Sequence, residues 1–390
     1  MKILLVSSSF FPKIDGSTRC VYDHARKLAE RDNTLYLVTR SINVKGAGSF
    51  GTHPYEELEG IKILRTRLSL RSGLGLGFSK ARLATEQALL IIRLHRLIKF
   101  DVIHVHGFSA LYAALPCKLF YHVPVILTTH GTELLWPKSV RWKKPVETKL
   151  GLIFEKIALS FCDIIIAQSP GVKKYMIEFY GNRISPKIQL VHTGVDHKKF
   201  LPRTKQSSDP TILFAGALSE VKGLTCLINA FSNVHEKIPD AKLVLVGSGP
   251  SVSHYKALVS KLNLEDSIVF LGPVRDDNKM IELYSEADVV VLPSNVGGPI
   301  SCTILEGMSS GRPVISTNVP GGIPDIVSSK VGALIEAGDT DQLTVELLKL
   351  LSNNQYLQKI GSNARASVEQ KYTLESMIDK LTLLYRDITK

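Results

Sequence analysis

Cysteine is scarce and unpatterned in this 390-residue chain. The five residues, Cys20, Cys117, Cys162, Cys226 and Cys302, are odd in number, scattered and never spaced Cys-x-x-Cys. That excludes a disulfide framework and a cysteine zinc site, so a reducing, cytoplasmic compartment is the simplest expectation. Long apolar runs are missing too. The longest candidate, GLIFEKIALSFCDIIIAQS, carries Glu155 and Lys156 inside it, which excludes a conventional membrane-spanning helix. The opening MKILLVSSSFFP has a short apolar run and no cleavage-site pattern, so it reads as a first buried strand rather than a signal peptide. Metal-binding clusters are absent as well. The one tempting acidic pair, DTD at 339–341, follows EAG and precedes QLTVELLKLL, which makes Asp339 a helix N-cap and puts Asp341 in the first turn.

Acidic charge is short in one half only. Residues 1–195 hold 28 Lys and Arg against 14 Asp and Glu; residues 196–390 hold 20 against 22. The first half therefore carries all of the net excess of +12. A one-sided basic surface suits a polyanionic partner: anionic lipid, nucleic acid or a phosphorylated substrate. No nucleic-acid-binding module is recognisable, so nucleic acid is not expected.

What is present is an alternation of short Val/Ile/Leu runs with amphipathic stretches. KILLVSS, NTLYLVT, DVIHVH, VPVILTTH, DIIIAQS and KIQLVHTG read as strands in the first half; PTILFAGAL, KLVLVGSG, SIVFLG, DVVVLPS and PVIST read as strands in the second. Continuous runs of this kind are buried on both faces, which means parallel sheets flanked by helices. The length exceeds what one core supports. The expected architecture is α/β, two Rossmann-like domains in tandem with a join near 194–210. In such sheets ligands bind where strand order reverses, at the strands' carboxyl ends.

The notable residues fall at those ends. Gly216 closes the strand PTILFAGAL, and Lys222-Gly223 opens a helix, where an ammonium adds to N–H groups that already favour an anion. A solvated surface lysine is the competing reading. Gly16 follows the first strand and lets backbone approach a ligand, with Ser17 or Thr18 available to cap the next helix. His106 ends DVIHVH and reads as a buried structural histidine. His130 ends VPVILTTH before a glycine and reads as functional. The stretch SNVGGPISCTILEG holds a single charge, Glu306, on a strand-to-helix turn.

Together these pieces resemble the retaining GT-B glycosyltransferases of family GT4, over nearly the whole chain. The resemblance rests on Gly16, DVIHVHG, TTHG, VHTGVDHKKF, GALSEVKG, LVGSGP, ADVVVLPS, LEGMSSGRPVIST and PGGIPDIV, in that order. It implies an acceptor domain over 1–195, a nucleotide-sugar donor domain over 196–371, and a helix over 372–390 returning to the first domain. It further implies that Lys222 meets the donor diphosphate, that Glu306 accepts the ribose hydroxyls, and that His130 lies near the sugar. Gly16, Gly216, Val274, Ser301, Cys302 and Thr303 would line the donor site. No cofactor or metal is implied. The related sugar-nucleotide epimerases fit the LEGMSSGRPVIST context poorly.

Two positions depart from the family pattern. Ala217 stands where an arginine is usual, and Gly298 stands where the first Glu of Glu-x7-Glu belongs. Charge-assisted hydrogen bonds of the kind lost are worth roughly 1.5–3 kcal/mol each. The departures motivate an alternative, a GT-B binding or regulatory subunit that has lost catalysis. The basic first half, the leucines of ARLATEQALLIIRLHRLIKF and Trp142 beside Lys143 and Lys144 suit peripheral binding to an anionic membrane and a glycan or lipid-linked acceptor. Packing of that leucine helix on its own sheet is the competing reading.

Overall fold

The computed structural model describes residues 1–8, 10–12, 16–41, 53–66, 76–130, 145–202 and 209–390, and leaves the side chains of 76–81 and 145–151 undescribed. The chain begins β1 (Lys2–Ser7), α1 (Gly16–Ala29), β2 (Thr34–Arg40), β3 (Tyr55–Leu58), β4 (Ile61–Thr66), α2 (Leu76–Ile98), β5 (Val102–His106) and α3 (Phe108–Tyr121). It continues with β6 (Val125–Thr128), α4 (Pro145–Phe161), β7 (Ile164–Ala167), α5 (Pro170–Tyr180) and β8 (Ile188–Leu190). A second cycle follows: β9 (Thr211–Ala215), α6 (Leu224–Lys237), β10 (Lys242–Val246), α7 (Val252–Lys261), β11 (Ile268–Gly272), α8 (Asp277–Glu286), β12 (Val289–Leu292) and α9 (Cys302–Ser309). The last elements are β13 (Val314–Thr317), α10 (Ile323–Ile326), β14 (Gly332–Ile335), α11 (Thr340–Leu351), α12 (Asn354–Lys371) and α13 (Leu374–Ile388).

Two sheets result, ordered β3-β4-β2-β1-β5-β6-β7-β8 and β11-β10-β9-β12-β13-β14. All pairings are parallel except β3 with β4. The antiparallel hairpin escapes the sequence pattern because YEEL has no apolar run; Gly60, at φ 78°, makes its turn. β14 also escapes it, since GALI is short and opens on a glycine. Strand order reverses at β1 in the first sheet and at β9 in the second, so each sheet offers one crevice.

Burial explains the layers. β1 reads eBBBBB and β5, β6 and β12 are buried throughout, as strands covered on both faces must be. One face of the first sheet carries α2, α3 and α4 over a core that includes Ile103, Val105 and Leu127. The other carries α1 and, from the far end of the chain, α13, whose Leu374, Met377, Ile378, Leu381 and Tyr385 are buried with Ile3, Leu5 and Val21. The chain crosses back through a bridge between Val195 and Thr373. Thr373 caps α13 by accepting from the Ser376 N–H.

The domains also touch across the crevice. Asp325 accepts from the Gly171 N–H at 2.7 Å. A Cβ at Gly171 would lie 2.3 Å from the Gly321 carbonyl oxygen, so only glycine fits at this contact. Asp277, at the start of α8, is ion-paired with both Arg19 of α1 and Lys199 of the join.

Candidate active site

The second-domain side of the crevice grows from the carboxyl ends of β9 and β12. After β9 the chain makes a single 3-10 turn, Glu220–Lys222, and enters α6 through Gly223 at φ 70°. A Cβ there would fall 1.8 Å from the Pro293 carbonyl oxygen, so glycine lets the turn press against the loop after β12. Asn295 of that loop ties the two together, donating its N–H to Val221 O and its side-chain amide to Glu220 O, both at 2.9 Å. Lys222 is half-buried, and burial pulls its pKa below the ordinary lysine value. Among the described residues its ammonium has no hydrogen-bond or ion-pair partner, so the charge is held ready for an anion. Ala217, where the resemblance expects an arginine, is exposed and supplies no second cation. Gly216 donates its N–H to Val246 O, closing the strand as expected.

α9 starts at Cys302 with Ser301 at its N-cap. The Ser301 side chain makes no cap bond, leaving N–H groups of the first turn without that partner. Thr303 donates to Ala215 O at 3.0 Å, which locks α9 onto the end of β9. Cys302 Sγ donates to Gly16 O at 3.8 Å, so the first residue of α1 faces the start of α9 across the domain boundary. Ser17 and Thr18 lie inside the first turn of α1, not at its cap. Val274, between β11 and α8, is half-buried and packs on the core of the second domain.

Glu306 sits one turn into α9, half-buried, and accepts a 2.7 Å hydrogen bond from the Tyr284 hydroxyl. Tyr284 is itself fully buried on α8. Burial raises the Glu306 pKa; the Tyr284 bond and the Arg19 charge pull it back. Neither Tyr284 nor Arg19 was a sequence candidate. A tyrosine in NKMIELYSEAD carries no signal of its own, and Arg19 shows one only in hindsight, as a cation three residues past a loop glycine. At Gly298 a Cβ would meet nothing within 4 Å, and the backbone does not need glycine, since φ lies outside the left-handed region. The loop there is pinned by Gly298 N–H to Pro320 O and Gly322 N–H to Gly298 O.

On the facing domain, His130 follows β6, half-buried, with Nε2 2.9 Å from His106 Nδ1 and the rings stacked at 5.2 Å between centroids. His106 is buried, as the structural reading held, and it also touches the candidate functional histidine. Asp339 accepts from the Gln342 N–H at the start of α11, so DTD is a cap. Among the described residues no group of three or more His, Cys, Asp or Glu side chains could hold a metal.

Two family models divide the chain between them: Glycosyltransferase Family 4 matches residues 14–199 and Glycosyl transferases group 1 matches residues 196–367. The chain belongs to the GT4-type glycosyltransferases. It is an enzyme of the transferase class, with the GT-B fold. It is 27% identical to a GDP-mannose-dependent monoacylated alpha-(1-6)-phosphatidylinositol monomannoside mannosyltransferase of Corynebacterium glutamicum, over 66% of this chain and 68% of that protein. Among solved structures it resembles the sucrose-phosphate synthase of Thermosynechococcus elongatus, with a TM-score of 0.85 at 20% identity, over 100% and 99% of the two chains. It also resembles Anabaena HepE, solved in complex with UDP-glucose, with a TM-score of 0.77 at 20% identity, over 99% and 100%.

Proposed function

We propose that this glycosyltransferase moves a hexose-type sugar from a nucleotide-diphosphate sugar to an acceptor hydroxyl with retention and without a metal, the acceptor being lipid-linked or a surface glycan at the cytoplasmic face of a membrane. The observation that carries the donor half is Lys222, half-buried on the turn that Asn295 ties to the loop after β12 and without a hydrogen-bond or ion-pair partner among the described residues. A diphosphate there gains a cation and the helix N-terminus, and both interactions strengthen as charge develops on the leaving phosphate. Glu306, oriented by Tyr284, is set to accept ribose hydroxyls. His130 approaches from the acceptor domain. HepE was solved with UDP-glucose, and the Corynebacterium relative is named for a phosphatidylinositol monomannoside acceptor.

The membrane half rests on one face of the acceptor domain. Leu97 on α2 is 83% exposed, Phe120 on α3 is 74% exposed, and Phe154 on α4 is 58% exposed, with Ile153 and Ile157 beside it. These helices are neighbours, and Arg93, Arg96, Lys99 and Lys156 are exposed on them. Apolar side chains ringed by basic ones suit an anionic lipid surface. Within α2 the expected stripe divides: Leu83, Leu90 and Leu94 turn inward and pack, while Leu89 and Leu97 stay out. Trp142, Lys143 and Lys144 lie outside the described residues. No helix among the described residues is long and apolar enough to cross a membrane.

A panel of UDP-, GDP- and ADP-sugars, with and without membrane extract and EDTA, tests the reading. Nucleotide release that needs the extract and survives EDTA is expected, with the product's anomeric configuration read by NMR. No release and no nucleotide binding would falsify it and favour the binding-subunit alternative.

A further inference from the structure

A contiguous stack of imidazoles runs from the candidate site into the acceptor domain. His106 stacks on His130 on one side and on His104 on the other, the latter at 4.5 Å between centroids. His104 is clamped at both nitrogens, Nδ1 to the Tyr385 hydroxyl of α13 at 2.5 Å and Nε2 to Thr128 Oγ1 at 2.8 Å. His24 of α1 lies 5.4 Å from the His106 ring. His24, His104 and His106 are all buried, and burial holds each below the ordinary histidine pKa, so all are neutral.

Neutrality decides where the protons sit. Each neutral ring carries one N–H. The 2.9 Å bond between His106 Nδ1 and His130 Nε2 needs that hydrogen on one of the two nitrogens. If His130 Nε2 carried it, the proton of His106 would be on Nε2, which is buried and has no partner among the described residues. A buried N–H without an acceptor is among the rarest defects in folded proteins. With the hydrogen on His106 Nδ1, the unpartnered atom is only a lone pair.

We propose that His106 is the positioning residue of His130: it donates Nδ1–H to His130 Nε2, leaves the His130 proton on Nδ1, and so fixes the tautomer and orientation of the ring that faces the sugar. Its own ring is held by the His104 stack, and through Tyr385 the returning helix α13 is part of that support. The assignment of tautomer stands on the hydrogen-bond geometry and on the buried His106 being neutral; its consequence for turnover rests on the reading that His130 lies at the donor sugar.

The tautomer is read in the native protein by 15N imidazole NMR with trans-hydrogen-bond N–N coupling. The expected result is a protonated His106 Nδ1 coupled to an unprotonated His130 Nε2. A proton on His130 Nε2 overturns the proposal. Two variants extend the test. His106→Phe keeps the ring and removes the donor; His106→Asn keeps a donor near the Nδ1 position. His130 in His106→Phe is expected to shift to the Nε2–H form, with His106→Asn staying near wild type. UDP release from UDP-glucose, as the donor probe, is expected to lose about tenfold or more in kcat in His106→Phe, with KM within about twofold, and to recover in His106→Asn. Equal kcat in all three proteins overturns the catalytic part. Absence of release from wild type refutes UDP-glucose as donor and leaves the NMR result to decide the positioning.

Discussion

Glu306 shows how one residue depends on another that is silent in the sequence. Its carboxylate is buried enough to resist ionisation, and the Tyr284 hydroxyl is its direct hydrogen-bond donor. Tyr284→Phe removes that donor with little change of shape. The expected outcome is a stability loss of about 1–3 kcal/mol, read by denaturant titration, with weaker nucleotide binding read by calorimetry. Unchanged nucleotide affinity would separate Glu306 from the ribose. Gly298 poses the opposite case, because the space before it is open. Gly298→Glu is expected to fold with stability within about 0.5 kcal/mol of wild type, as an unstrained surface-type substitution does. If the donor pocket is merely diverged, the added carboxylate raises turnover with an ordinary hexose donor. If catalysis is lost for other reasons, the variant stays as inactive as its parent.

β5 is the element on which the first domain's side of the crevice turns. DVIHVH puts His104 and His106 two residues apart, so a strand points both to the same face, toward α1 and α13. That much was legible from spacing. That the partner would be Tyr385, 281 positions away, was not, because no local pattern encodes which distant helix covers a sheet. The buried imidazoles also carry a pH dependence. His24 is held down to about 3, and His104 and His106 well below 6.5, by burial first and by neighbouring histidines, His130 among them, second. Below about pH 6.5 the unfolded chain binds protons that the folded one refuses, so stability is complete above that value and falls as pH drops toward 3. Each histidine contributes about 1.4 kcal/mol per pH unit within that window. Asp23 and Glu306, whose pKa values burial raises, act with the opposite sign from about pH 4 upward. Chemical denaturation at pH 7.5 and 5.5 is expected to show a clear midpoint drop at the lower pH. Replacing His104 by Gln is expected to flatten it, and an equal drop in that variant would remove His104 from the account.

At the scale of the whole molecule, charge and closure are the two levers. The first half carries the positive excess, and its outer helices add exposed Phe120, Phe154 and Leu97. Sedimentation with anionic vesicles at ionic strengths of roughly 0.1 M and 1 M, where the Debye length shrinks from about 10 to 3 Å, is expected to show binding that weakens strongly with salt. Binding that ignores lipid charge would argue against this face. The crevice is drawn together at Asp277, which pairs Arg19 of one domain with Lys199 of the join. Asp277→Ala is expected to loosen closure, seen as a larger radius of gyration in small-angle scattering, with little loss of stability because the pairs are partly exposed. An unchanged radius would assign closure to the Gly171–Asp325 contact instead.

The sequence by itself determined the alternation of buried strands and helices, and the order in which Gly16, His130, Lys222 and Glu306 follow strand ends. These are properties of local apolar periodicity, turn chemistry and spacing, which act over a few residues at a time. It did not determine Tyr284 under Glu306, Gly16 and Cys302 meeting across the domain boundary, or α13 closing over β5. Those pairings join residues far apart in the chain. They exist only because the tertiary fold packs distant helices onto one another and onto the sheets, where side chains must fill, and be hydrogen-bonded in, the space between.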